Sequence, residues 1–159
     1  MMLLLAMLAG VLVAQASPMP SLAPVPSDNL TSLVGRWTCV TAQNATTVQQ
    51  FELDRDTMTL NIHVVPASGT AYDLRESYRW DGAAARWIVD LTPQSLSHMM
   101  GSAPAWTDDA WTVEGTLRAQ PTLPPEELRY VKTADGFTRE FFMQRDGAWV
   151  STSRSTCTR

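Results

Sequence analysis

From Gly35 onward, apolar and polar residues alternate with a period of two, and short turn sequences interrupt the alternation. The alternating stretches are rich in Val, Thr, Tyr, Phe and Trp, which favour strands. No long 3.6-residue period follows Gly35, so the sequence predicts no long helix there. Asp-Gly pairs at 81–82, 135–136 and 146–147 are typical of hairpin turns. The predicted strands are 36–42, 46–54, 57–65, 71–80, 85–92, 110–119, 127–134, 137–145 and 148–157.

Short strands joined by short turns predict an antiparallel meander. When a sheet of eight to ten such strands closes on itself, no edge strand is left with unpaired backbone N–H and C=O groups. The chain has 159 residues, of which 45% are hydrophobic, which is enough for one domain with a core. The fold class is therefore all-β, an antiparallel up-and-down barrel of 8–10 strands over residues 30–159.

The first residues predict export. Residues 1–16 form an apolar run that ends in Ala-Gln-Ala, the small-x-small pattern of a signal-peptide cleavage site. Residues 17–29 contain four prolines and predict an extended linker. We expect cleavage after Ala16, a periplasmic or extracellular location, and no membrane insertion of the mature chain.

The charge pattern narrows the classes of partner. The net charge is −4 and the sequence has no cluster of Lys or Arg. Nucleic acids and anionic membrane surfaces attract clustered positive charge, so neither is an expected partner. We expect a monomer.

The two cysteines, Cys39 and Cys157, lie at opposite ends of the predicted barrel. An exported chain favours a disulfide over free thiols. In a barrel with an even number of strands, the first and last strands are antiparallel neighbours. If Cys39 lies opposite Cys157, Trp37 lies opposite Arg159, and the guanidinium can cover the indole.

These residues carry a resemblance to a known family. Gly35-x-Trp37 on the first strand, with a late Arg beside that Trp, resembles the signature of the calycins, the lipocalin-like barrels. The segments "WTVEG" at 111–115 and "STCTR" at 155–159 resemble exported bacterial lipocalin-like proteins of unknown function. The resemblance implies that Trp37 and Arg159 close one end of the barrel, and that the lumen binds a small hydrophobic molecule.

Strand parity predicts which side chains line that lumen. Glu76 falls on the inward side of its strand, and we expect it to be paired, with Arg139 as the candidate partner. The segment 95–106 reads as a loop that covers the mouth as a flap. The sequence leaves open whether the lumen is a pocket or a packed core. The predicted ligand-binding residues are Tyr78, Trp80, Trp87, Met99, Met100, Trp106, Trp111 and Arg139.

The search for catalytic and metal-binding patterns gives little. No nucleophile–base set and no metal-ligand spacing is present, so the sequence predicts neither an enzyme, a metal site nor a cofactor. His63 falls on the outward side of its strand. His98, beside Met99 and Met100, is the one candidate for a haem ligand. The prediction is a binder of a small apolar or amphipathic molecule; the alternative is a structural or protein-interaction module with a filled barrel, ahead of a haem protein or an enzyme.

Overall fold

The structure is a computed structural model. It describes residues 22–26, 30–92, 99–106, 109–117, 122 and 124–159. The predicted signal peptide lies outside these residues, as does most of the predicted linker. Both remain predictions.

Ten antiparallel strands form a closed barrel, as the alternation predicted. Each strand pairs with its neighbours in sequence, and the first strand pairs with the last. The strands are β1 (Gly35–Thr41), β2 (Thr46–Asp54), β3 (Thr57–Val65), β4 (Tyr72–Asp81), β5 (Arg86–Thr92), β6 (Met99–Ala103), β7 (Ala110–Leu117), β8 (Glu126–Thr133), β9 (Gly136–Arg145) and β10 (Ala148–Thr158).

The predicted flap is partly a strand. Met99–Ala103 forms β6, which pairs with β5 and β7, whereas the sequence predicted a loop over 95–106. The segment "MMGSA" lacks β-branched and aromatic residues, so propensity does not identify it as a strand. Gly101 lies opposite Gly115, and a Cβ on Gly101 would stand 2.5 Å from the carbonyl oxygen of Glu114. This tenth strand makes the count even, so β1 and β10 run antiparallel.

The seam between β1 and β10 has the register expected from the cysteines. Cys39 lies opposite Cys157, and their sulfur atoms form a bond of 2.06 Å. The Arg159 guanidinium lies over the Trp37 ring, 4.6 Å from its centroid. Trp37 Nε1 donates to the carbonyl oxygen of Leu33, which belongs to a short 3₁₀ helix, Thr31–Leu33. The start of the domain therefore packs against one end of the barrel.

Along the strands, alternate side chains are buried in the core and exposed to solvent, as strand parity predicted. Met58, Leu60, Ile62 and Val64 of β3 are buried, while His63 between them is exposed. On β4, burial changes along the inward face: Glu76, Tyr78 and Trp80 are buried, whereas Tyr72 is 41% exposed at the barrel rim. The rim position explains the difference, because a side chain there has neighbours on fewer sides.

The described part of the predicted linker touches the barrel. In residues 22–26, Ala23 N donates to the carbonyl oxygen of Gly82 at 2.8 Å, and Trp80 Nε1 donates to the carbonyl oxygen of Ala23 at 3.1 Å. A Cβ on Gly82 would stand 2.8 Å from that Ala23 oxygen. Ala23 can therefore approach this closely because Gly82 has no side chain. Within the described residues, no helix is long and apolar enough to cross a membrane.

Candidate ligand-binding site

The end of the barrel near the 3₁₀ helix is filled by aromatic side chains. Trp106 and Trp111 stack with their rings 7° from parallel and centroids 5.7 Å apart. Trp80 and Trp87 meet edge to face at 5.5 Å. Because these rings pack on one another, they leave little free space between them. We call this region the packed half; its aromatic members are Trp37, Phe51, Trp80, Trp87, Trp106, Trp111, Tyr130 and Phe137.

A ring of four polar side chains lies beside the packed half, in the middle of the barrel. The Arg139 guanidinium forms a buried ion pair with Glu76, with Nη2 2.5 Å from Oε1. Tyr78 donates its hydroxyl to Glu76 Oε2 at 2.7 Å. Arg139 Nε donates to the hydroxyl oxygen of Tyr130 at 3.1 Å. The two hydroxyls are 2.7 Å apart. Since the Tyr78 proton goes to Glu76, Tyr130 donates to Tyr78, and the ring closes.

Burial and charge set the protonation of this polar ring. Burial raises the pKa of Tyr78 well above its usual range, and the Glu76 carboxylate raises it further. Burial raises the pKa of Tyr130 to about 12. Burial alone would lower the pKa of Arg139, but the Glu76 carboxylate outweighs it, so this pKa lies above its usual range. Both phenols are therefore neutral donors at neutral pH, and Arg139 is charged.

On the other side of the polar ring the barrel holds two adjoining cavities, of about 280 and about 290 Å³. Leu74, Arg139, Phe141 and Ser153 line both. We call the two together the cup. The first is also lined by Glu76, Leu91, Met99, Glu126 and Thr152, and the second by Thr41, Gln43, Ala45, Thr47, Gln49, Ile62, Val64, Tyr72 and Ser155.

Two polar groups of the cup are unmatched within the described chain. Gln49 is only 2% exposed; its Nε2 donates to Thr47 Oγ1 at 3.4 Å, and its Oε1 has no hydrogen-bond partner. Glu126 is half-buried, and burial raises the pKa of its carboxyl. No basic side chain in the described residues forms an ion pair with it. Both unmatched groups are hydrogen-bond acceptors.

The structure separates the eight residues predicted to bind a ligand. Only Met99 and Arg139 line the cup. Tyr78 belongs to the polar ring, and its ring lies 5.9 Å from that of Trp111. Met100 is 39% exposed on the outer face, because it follows the inward-facing Met99 on an alternating strand. Trp80, Trp87 and Trp111 lie in the packed half, where their rings contact other rings. Trp106 also belongs to the packed half, but it lines a separate concavity of about 320 Å³ at that end of the barrel, together with Trp37 and Lys132.

Several residues of the cup were not predicted from the sequence. Thr47 and Gln49 share the inward face of β2 with the buried Phe51. The signal was present in the parity of that strand, because Thr47 and Gln49 alternate in step with Phe51. Glu126 likewise shares the inward face of β8 with Leu128 and Tyr130.

A larger concavity, of about 550 Å³, lies outside the barrel along β1–β4. It is lined mainly by outward-facing polar side chains such as Arg36, Asn61 and Arg75. His63 Nδ1 lies 2.7 Å from the Asp73 carboxylate at this surface, and both side chains are exposed. Solvent screens charges in such a groove, so it is a weaker site than the cup.

The described residues contain no group of three or more His, Cys, Asp or Glu side chains placed to hold a metal ion. His98, the candidate haem ligand, lies outside the described residues. No protein-family model and no curated protein sequence matches this chain.

Proposed function

We propose that the protein is an exported, lipocalin-like barrel that binds a small apolar or amphipathic molecule in the cup. The cup is the main support for this proposal. It has apolar walls and one buried amide oxygen, Gln49 Oε1, which has no hydrogen-bond partner among the described residues. Ligand sites are typically concave and mostly apolar, with a few polar groups that orient the ligand. The disulfide and the apolar stretch at 1–16 support export.

A second candidate is a structural or protein-interaction module whose barrel holds no ligand. The packed half supports it, since stacked and edge-to-face rings occupy that part of the interior. Each cavity of the cup is also close to the lower limit of about 300 Å³ for small-molecule sites. Occupancy of the cup separates the two candidates.

Ser153 offers a direct test, because it lines both cavities of the cup. The variant Ser153→Phe places a ring in that space. Ser151→Phe is the matched control, since Ser151 is exposed on the same strand. The neutral probe N-phenyl-1-naphthylamine reports binding by its fluorescence.

We expect the wild type and Ser151→Phe to bind the probe alike. Ser153→Phe should bind at least about tenfold more weakly, which is about 1.4 kcal/mol. Circular dichroism checks that both variants fold. Equal binding by Ser153→Phe and the wild type would place the probe outside the cup, and no binding by the wild type would favour the module.

Export is tested separately by intact mass. Protein recovered from the periplasm of a bacterial host should lack residues 1–16, because the small-x-small site ends there. A periplasmic mass that retains Met1 would contradict this part of the proposal.

A further inference from the structure

The charged side chains that line the cup indicate which ligand charge it favours. Among the described residues, Arg139 is the one basic side chain that lines either cavity. Its charge is already matched by Glu76 through the buried ion pair, and its Nε donates to Tyr130. A ligand carboxylate at this guanidinium would also lie beside the Glu76 carboxylate. Arg139 is therefore a poor anchor for an anion.

Glu126 adds a carboxylate to the same cavity. Glu76 and Glu126 place two carboxyl groups on this cavity, against one guanidinium among its described lining residues. The described residues give Glu126 no ion-pair partner. A half-buried carboxylate without a counter-charge attracts a cation and repels an anion.

Gln49 gives the second cavity the same preference for a hydrogen-bond donor. Its buried Oε1 accepts no hydrogen bond within the described chain. A buried acceptor without a donor is unfavourable, and a ligand N–H or O–H group that reaches it would satisfy it. The Glu126 carboxyl and the Gln49 amide oxygen therefore both favour a ligand that carries a hydrogen-bond donor.

From this juxtaposition we infer that the cup selects an amphipathic molecule whose head group donates hydrogen bonds and is cationic or neutral, a primary amine above all, over a carboxylate of the same chain. This inference rests on the proposed function, since it assigns the ligand class of the same cup. Apolar side chains, Leu74, Leu91 and Phe141, surround the alkyl part.

The test compares three ligands of one chain length: decylamine, decanol and decanoic acid. Each displaces N-phenyl-1-naphthylamine from the wild-type protein at pH 7.5, below its micelle concentration. Decylammonium should bind at least about tenfold more tightly than decanoate, which is about 1.4 kcal/mol, with decanol between them. Decanoate binding as tightly as decylammonium would overturn the inference and leave the proposed function standing.

A variant pair assigns the preference to Glu126. Glu126→Gln should lower the ratio of decylammonium to decanoate affinity about fivefold or more, because it removes the carboxylate charge from the cavity. Glu114→Gln is the control with the same change in net charge, because Glu114 is exposed on the neighbouring strand β7. Equal ratios in the two variants would show that overall charge sets the preference, and would overturn the role of Glu126.

The role of Gln49 has its own readout. The wild type should bind decanol more tightly than decyl methyl ether, which has the same chain but no donor. Gln49→Leu should remove that difference, and an unchanged difference would overturn this half of the inference. If the wild type binds none of these ligands and no probe, the proposed function itself fails.

Discussion

The buried ion pair between Glu76 and Arg139 gives the sharpest test of the interior. Glu76→Gln keeps the shape of the side chain and removes its charge. The two side chains are only 7% and 8% exposed, so Arg139 would remain as a buried charge without a partner. The polar ring would also lose one hydrogen bond. The new amide nitrogen would face either Arg139 or Tyr78, and both of these groups are donors themselves.

The magnitude follows from the geometry. Two charges about 4 Å apart at an effective dielectric constant of about 20 interact by about 4 kcal/mol. Breaking a buried pair by removing one partner typically costs about 3–5 kcal/mol. We therefore expect Glu76→Gln to lower the free energy of unfolding by about 3–5 kcal/mol, a large share of the roughly 5–15 kcal/mol of an ordinary domain.

Urea unfolding, followed by tryptophan fluorescence at pH 7, measures the loss. Glu127→Gln is the control: the Glu127 side chain is also buried, at 8% exposed, but its partner Arg129 is 37% exposed, so an Arg129 left without its partner stays in contact with solvent. A pair that solvent reaches is worth about 0–1 kcal/mol. In a double-mutant cycle, Glu76→Gln combined with Arg139→Gln should cost clearly less than the sum of the single changes. Equal losses in the two Glu variants, or an additive cycle, would refute the reasoning.

Three further predictions concern the seam, the polar ring and strand β6. Reduction of the Cys39–Cys157 bond, confirmed by thiol labelling, should lower the melting temperature, because the 118-residue separation gives a chain-entropy gain of about 4–5 kcal/mol; an unchanged midpoint contradicts this. The pKa of Tyr130 is raised to about 12 against about 10 in the unfolded chain, so stability should be complete below pH 10 and should fall as the pH rises from 10 toward 12. Urea midpoints should show that slope, and Tyr130→Phe should reduce it; parallel profiles for the two proteins count against it. Gly101→Ala should cost about 1–3 kcal/mol, because its Cβ would meet the backbone of β7. Ser102→Ala is the control, with an expected change within about 0.5 kcal/mol, and similar urea midpoints for the two variants oppose the prediction.

Alternation is a local property, and this explains which strands the sequence predicts well. The strands 46–54 and 57–65 were predicted to the residue, because β-branched and apolar residues alternate through both. The short strand β6 was not predicted, since Gly101 and its neighbours give no such pattern. Its pairing with β5 and β7 determines its conformation, and that is a tertiary effect.

The site was less predictable than the fold. Parity placed Glu76 on an inward face, and Arg139 as well if Phe141 faces inward; the two side chains do form an ion pair. It did not show that Tyr78 and Tyr130 complete the ring, because that depends on which strands face each other across the barrel. Nor does a sequence give residual volume, so it could not show that Trp80, Trp87 and Trp111 pack against other rings in the packed half.

The arrangement of the strands has a consequence for the reduced protein. In the described sheet, every pairing but that of β1 with β10 joins strands that follow each other along the chain. If that one seam opens, the other ladders persist as a ribbon with two exposed sheet edges. Unpaired edges are templates for association between molecules. By keeping β1 and β10 paired, the Cys39–Cys157 bond should oppose aggregation as well as unfolding. We expect the reduced protein to associate through β1 and β10 in a concentration-dependent manner.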